Sequence, residues 1–145
     1  AVTVSLTGST APIRVMHPVH VLQSRNANLH TLASKQDEIG CKQFALAIAV
    51  ARAYLEGRID EIERRKSDAG NGRRRAALAA IKRVVEYSGE DAAKKNAARY
   101  GIFLADAIPA WRIHVPEFWS KQWPQLRQCM SPDYARRCEE RSGKT

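Results

Sequence analysis

A chain of 145 residues is expected to form one hydrophobic core, because chains divide into domains only beyond about 250 residues, and a multidomain enzyme is excluded. A hydrophobic fraction of 44% and a charged fraction of 27% exclude global disorder. Lys and Arg outnumber Asp and Glu by 24 to 15, a formal charge of +9 that favours a polyanionic partner, and no apolar run approaches the ~20 residues of a membrane crossing.

Val2-Thr3-Val4-Ser5-Leu6 alternates apolar and polar residues, Thr7-Gly8-Ser9-Thr10 has turn chemistry, and Ala11 to Met16 resumes the apolar pattern. This predicts an N-terminal β-hairpin, with Pro12 at the start of its second strand or on an edge because it lacks a backbone donor. Pro18 after His17 marks a helix start. Val19, Leu22, Leu29 and Leu32 then form one face, on which Asn26 fills the remaining position and needs a hydrogen-bond partner if buried. From Ile39, the residues Phe44, Ile48, Ala51, Leu55, Ile59 and Ile62 step by 4, 3, 4, 4 and 3, which predicts a long helix. Its first half, Phe44 to Leu55, is apolar nearly all round and is expected to be the central core helix. Glu56 to Lys66 is amphipathic, and Gly57 allows a small kink.

Ser67 to Gly72 reads as a loop dividing the chain into two helical halves. Leu78, Ile81 and Val85 form the stripe of the next helix, which is expected to end near Ser88-Gly89. Ala92 to Tyr100 is a short helix closed by Gly101, and Ile102 to Ile108 an apolar connection halted by Pro109. Trp111, Trp119 and Trp123, with Phe118, Leu126 and Met130, fall in the last third, and Pro124 is expected to split this aromatic segment into two short helical pieces. Beyond Ser131 the sequence is polar, and 132–145 is expected to fray. The predicted fold is mainly α: an N-terminal β-hairpin followed by a bundle of about five or six helices, as a single domain over 1–131.

Charge is not spread evenly. Its excess peaks at +4 over residues 67–101, where Arg73, Arg74 and Arg75 form the one uninterrupted triplet of arginines, with Lys82 and Arg83 further along the same helix. Two readings stand: a solubilising surface, or a phosphate-binding or partner-binding patch built from these five residues. Trp119 and Trp123, one helical turn apart, read as core or as interaction aromatics. Cys41, Cys129 and Cys138 are an odd count with no C-x-x-C pair, so neither a disulfide framework nor a thiolate zinc site is expected. Cys41 reads as a small buried hydrophobe. His17-Pro-Val-His20, with His30 downstream, lacks a supporting carboxylate or thiol and reads as capping or surface chemistry; no metal and no cofactor is expected. Gly8-Ser9 is not followed by alternating carboxylates, since the first acidic residue in the chain is Asp37, so it reads as a hairpin turn and no catalytic residue is assigned.

The run from Ile13 through His17-Pro-Val-His20 to Leu29, followed by Ser34-Lys-Gln-Asp-Glu-Ile-Gly40 and a long alanine-rich helix, resembles the segment after the active site in bacterial nucleotidyltransferase-like proteins, including the abortive-infection toxin type. The close match covers a little under half of the chain. The family's glycine-serine motif and three metal-binding carboxylates lie upstream of the matching segment. The resemblance therefore implies the helical, C-terminal half of such a protein, with Lys35 and Asp37 matching a lysine and an aspartate of its loop. It implies a non-catalytic binding domain with a protein or nucleoprotein partner, in a cytoplasmic, phage-defence setting. The alternative is a small basic protein that binds RNA or DNA through its basic surface, of the kind a phage or mobile element carries against a host system.

Overall fold

The computed structural model describes residues 2–5, 12–64 and 71–143, with side chains described over 16–64 and 78–143. The chain is mainly helical. Val2–Ser5 (β1) and Pro12–Val15 (β2) run as short strands paired antiparallel, Val2 opposite Val15 and Ser5 opposite Pro12. The expected turn at Thr7 to Thr10 lies outside the described residues, as does most of the expected loop at 67–72.

Six α-helices follow among the described residues. Pro18–Thr31 (α1) starts on a proline whose missing N–H is harmless in a first turn, and the His17 ring caps it by accepting from the Val19 N–H at 3.2 Å. Its buried face is Val19, Leu22, Asn26 and Leu29. Asn26 is the polar residue the stripe required a partner for. Asn96 supplies it, donating from its side-chain amide to the Asn26 backbone carbonyl at 2.9 Å and to its Oδ1 at 2.8 Å. Both asparagines are buried, so this pair fixes α1 against the helix that carries Asn96.

Glu38–Arg64 (α2) spans 27 residues. Asp37 Oδ1 accepts from the Gly40 N–H at 2.7 Å and thereby caps it. A Cβ at Gly40 would lie 1.7 Å from the Lys35 carbonyl oxygen, so the backbone approaches this helix too closely for any other residue. The Lys35 to Gly40 run of the resemblance is thus explained locally as a cap and a close contact. Phe44, Ala47, Ile48, Ala51 and Leu55 bury one face of α2, but Leu46 is 65% and Val50 48% exposed. The expectation of a helix surrounded by core is therefore corrected: α2 flanks the core with one side and gives an apolar side to solvent. Cys41 is half-buried rather than buried.

Asn71–Ser88 (α3) faces the core with Ile81, Val84 and Ser88. The expected stripe of Leu78, Ile81 and Val85 is rotated, leaving Leu78 exposed and Val85 half-buried, because α3 packs against both α2 and the turn at Leu104–Ala107. Asp91–Tyr100 (α4) ends on Gly101, whose φ of 67° is the left-handed conformation glycine adopts without strain, and the Gly101 N–H closes on the Ala97 carbonyl.

The segment from Leu104 to Ile113 is irregular yet mostly buried. Buried irregular backbone must find partners for its carbonyls, and three side chains from other elements supply them. Arg52 Nε donates to the Asp106 carbonyl at 2.6 Å, the Tyr134 hydroxyl to Ile108 at 2.8 Å, and the Trp119 indole to Ile113 at 2.8 Å. Helical backbone then runs without a break from Pro116 to Cys129, through a π-helical stretch at Phe118–Gln122 into Trp123–Cys129 (α5). Two separate pieces were expected at Pro124. The wider π turn instead relieves the clash a proline ring makes with the carbonyl four residues back.

Pro132–Ser142 (α6) replaces the expected frayed tail. Tyr134, Ala135 and Cys138 are buried, and Asp106 holds the helix start by accepting from the Ser131 N–H at 3.0 Å and from its hydroxyl at 2.7 Å. The arginine side of α6 packs as well: Arg141 lies over the Trp111 ring at 4.7 Å. Among the described residues no helix is long and apolar enough to cross a membrane.

Candidate anion-binding pocket

His17, Tyr54, Arg58 and Arg83 meet at a cavity of about 250 Å³ between the start of α1, the middle of α2 and the middle of α3. Tyr54 and Arg58 are one turn apart on α2. Ala79 and Ala80 lie one turn before Arg83 on α3, so small side chains make the wall where long cations make the rim. Val19 closes the apolar side.

The hydrogen bonding of His17 orders the site. Its Nδ1 is occupied as acceptor by the Val19 amide, so the neutral ring carries its proton on Nε2 and donates to the Tyr54 hydroxyl at 3.0 Å. Burial, followed by the neighbouring His20 and by Arg83 and Arg58, pushes the His17 pKa below its usual 6.5, which keeps the ring neutral at physiological pH. The Tyr54 oxygen is thereby spent as acceptor and its own proton is free to donate into the cavity. The His20 ring lies 5.5 Å from that of His17, tilted by 49°, and does not line the cavity.

Two guanidinium groups set the electrostatics. Arg58 pairs with Glu61 at 2.9 Å across one helical turn, a partly exposed pair of small energetic weight. Arg83 is exposed and has no carboxylate partner among the described residues. The cavity thus presents two cations, one hydroxyl donor and apolar walls, which is a complement for a compact anion with an organic body. A second cavity of about 570 Å³, between the end of α3, α4 and α5, has Lys94 as the one charged residue in its lining and gathers no comparable set of donors.

Of the five residues predicted to bind a phosphate or a partner, Arg83 lines the pocket. Lys82 is exposed beside it on α3, outside the lining. Arg73, Arg74 and Arg75 occupy the first turns of α3, a stretch with no acidic residue in its first turn; their side chains lie outside the described part. Trp119 and Trp123 come together, ring centroids 4.9 Å apart and both near Phe118. Trp123 is buried and its indole donates to Glu139, while Trp119 is half-buried and donates to Ile113, so this cluster belongs to the core. Lys35 and Asp37 stand at the end of a short turn and at the cap of α2, away from the pocket. Among the described residues no three His, Cys, Asp or Glu side chains gather as a metal would require, and all three cysteines are free thiols.

Sequence reasoning missed Tyr54 and Arg58. Their only local signal is a tyrosine and an arginine four residues apart where α2 turns from apolar to amphipathic, and the partner that defines the site, His17, is 37 residues from Tyr54 in the chain. No protein family, no curated protein and no solved structure matches this chain.

Proposed function

We propose that the chain is a non-catalytic, helical binding domain whose partner carries phosphate or carboxylate groups, and that RNA or DNA is the partner to test first. The observation that carries this reading is the convergence of Arg58, Arg83 and the free Tyr54 hydroxyl on one cavity. The formal charge of +9 and the arginine triplet on the helix that bears Arg83 support it, since phosphate contacts supply most of the affinity in non-specific nucleic-acid binding. Kinship with the helical half of nucleotidyltransferase-like proteins, and the closure of the N-terminal strands as a hairpin on the helices, belong to the same proposal.

The test is fluorescence anisotropy with labelled single-stranded RNA and duplex DNA over a range of salt. Binding should weaken steeply with salt, and Arg58→Gln with Arg83→Gln should lower affinity by roughly tenfold and flatten the salt slope by about 1 to 2. Tyr54→Phe should lower affinity severalfold without changing the slope, because it removes a donor and no charge. Undiminished binding in a folded double variant removes the pocket from the reading, and no binding to either nucleic acid at low salt removes nucleic acid as the partner.

A further inference from the structure

At the far end of α1 from the pocket of His17, a cavity of about 440 Å³ opens between α1 and α4. Leu29 and His30 line it from α1, and Lys95, Asn96, Ala98 and Arg99 from α4. Lys95 and Arg99 stand one turn apart, both exposed, and neither has a carboxylate partner among the described residues. Arg99 rests over the Tyr100 ring at 5.2 Å, which limits where its guanidinium can swing. Gln36 Nε2 donates to the His30 carbonyl at 3.1 Å, which offsets part of the repulsion an anion meets at a helix C-terminus. Asn96, 2% exposed, adds a requirement of the opposite kind. The Asn26 backbone carbonyl only accepts, so the atom of Asn96 that faces it is the amide nitrogen, and both protons of that nitrogen are spent on Asn26. Oδ1 is what Asn96 has left to offer the cavity, and no donor among the described residues meets it. Two cations beside a buried acceptor call for a ligand that carries an anion and a hydroxyl donor a few bonds apart.

We infer that this cavity binds one ribonucleotide unit of an RNA strand, with Lys95 and Arg99 on the phosphate and Asn96 Oδ1 accepting from the ribose 2′-hydroxyl. The inference rests on the nucleic-acid reading above and narrows it to RNA, because the 2′-hydroxyl is the group that DNA lacks. The volume falls in the roughly 300 to 1,000 Å³ range of small-ligand clefts, enough for one nucleotide and too small for a duplex, so a single strand is the form that enters. The His30 ring is half-buried and makes no hydrogen bond among the described residues, which leaves it for the base to stack against. From His17 to His30 the axis of α1 rises about 20 Å at about 1.5 Å per residue. A stacked strand advances about 3.4 Å per nucleotide, so about six nucleotides have the reach from one pocket to the other.

Fluorescence anisotropy tests this with a single-stranded RNA of about twelve nucleotides and its 2′-deoxy and 2′-O-methyl counterparts, all of one base sequence with uracil throughout. RNA should bind about fivefold more tightly than either counterpart, the yield of one neutral hydrogen bond, since 2′-O-methyl ribose keeps the oxygen and lacks the proton. Asn96 stays unchanged because its amide also fixes α1 against α4. Lys95→Gln with Arg99→Gln should instead erase the preference for RNA with an unchanged circular dichroism spectrum, both side chains being exposed. Arg58→Gln with Arg83→Gln should weaken all three strands alike. Equal binding of the three strands overturns the inference and leaves the nucleic-acid reading standing. So does 2′-O-methyl RNA that binds as RNA does, because no donated proton is then read, and so does a preference that survives Lys95→Gln with Arg99→Gln, which places the sugar contact elsewhere. Failure of every strand to bind at low salt removes both readings.

Discussion

Two glycines of α2 should respond to the same substitution with opposite signs. In an exposed helix interior, Gly→Ala stabilises by up to about 1 kcal/mol, because alanine loses less backbone entropy on folding. Gly57 meets that condition: it is exposed, and a Cβ there touches nothing within 4 Å. Gly40 is buried, and its Cβ would sit 1.7 Å from the Lys35 carbonyl oxygen and 2.8 Å from its carbon. Normal contact lies beyond about 3.4 Å, so the turn at Ala33–Lys35 must withdraw by more than an ångström. Asp37 follows that turn by two residues, so its 2.7 Å bond with the Gly40 N–H is strained by the same withdrawal. A lost N-cap is worth about 1 kcal/mol and a displaced, overpacked backbone another 1 to 3 kcal/mol, against the gain of about 1 kcal/mol in propensity. Gly40→Ala should therefore destabilise by about 1 to 3 kcal/mol, a fall in Tm of roughly 2 to 10 °C for a chain of this size. Urea titration of both variants measures the pair. A Gly40→Ala chain as stable as Gly57→Ala refutes the close approach of Lys35, and with it the account of the Lys35 to Gly40 run as a cap.

Asn96→Ala should cost about 2 to 3 kcal/mol in urea titration, since it opens a cavity and strands the buried Asn26 amide without its donor. His17 gives a pH signature. Its folded pKa lies below the unfolded value of 6.5, so its contribution is fully present above pH 6.5 and is lost as pH falls through 6.5 toward the folded pKa. Protonation also removes Nδ1 as the acceptor of the Val19 amide. Thermal melts from neutral to mildly acidic pH should show a loss of stability in the wild-type chain that His17→Asn, which keeps a capping acceptor and does not titrate, flattens; parallel curves for the two proteins remove His17 as the cause.

Local chemistry was legible in the sequence. The position of Asn26 on an apolar stripe announced a buried amide, Pro18 announced a helix start, and Gly101 a helix end, because each of these follows from the residue and its near neighbours alone. What depended on distant partners was not legible. The face α3 buries is set by the turn at Leu104–Ala107, which lies about 20 residues on, so a stripe drawn through Leu78 missed by part of a turn. The last helix was hidden by its own composition. Only Tyr134, Ala135 and Cys138 of its eleven residues are buried, and the bonds that hold it run to Asp106, Ile108 and Trp123 in earlier segments. Polarity read as fraying is here the solvent side of a docked helix. The pocket was half legible, since Arg83 stood in the basic cluster while Tyr54 and Arg58 carried no signal until α1 was placed against α2.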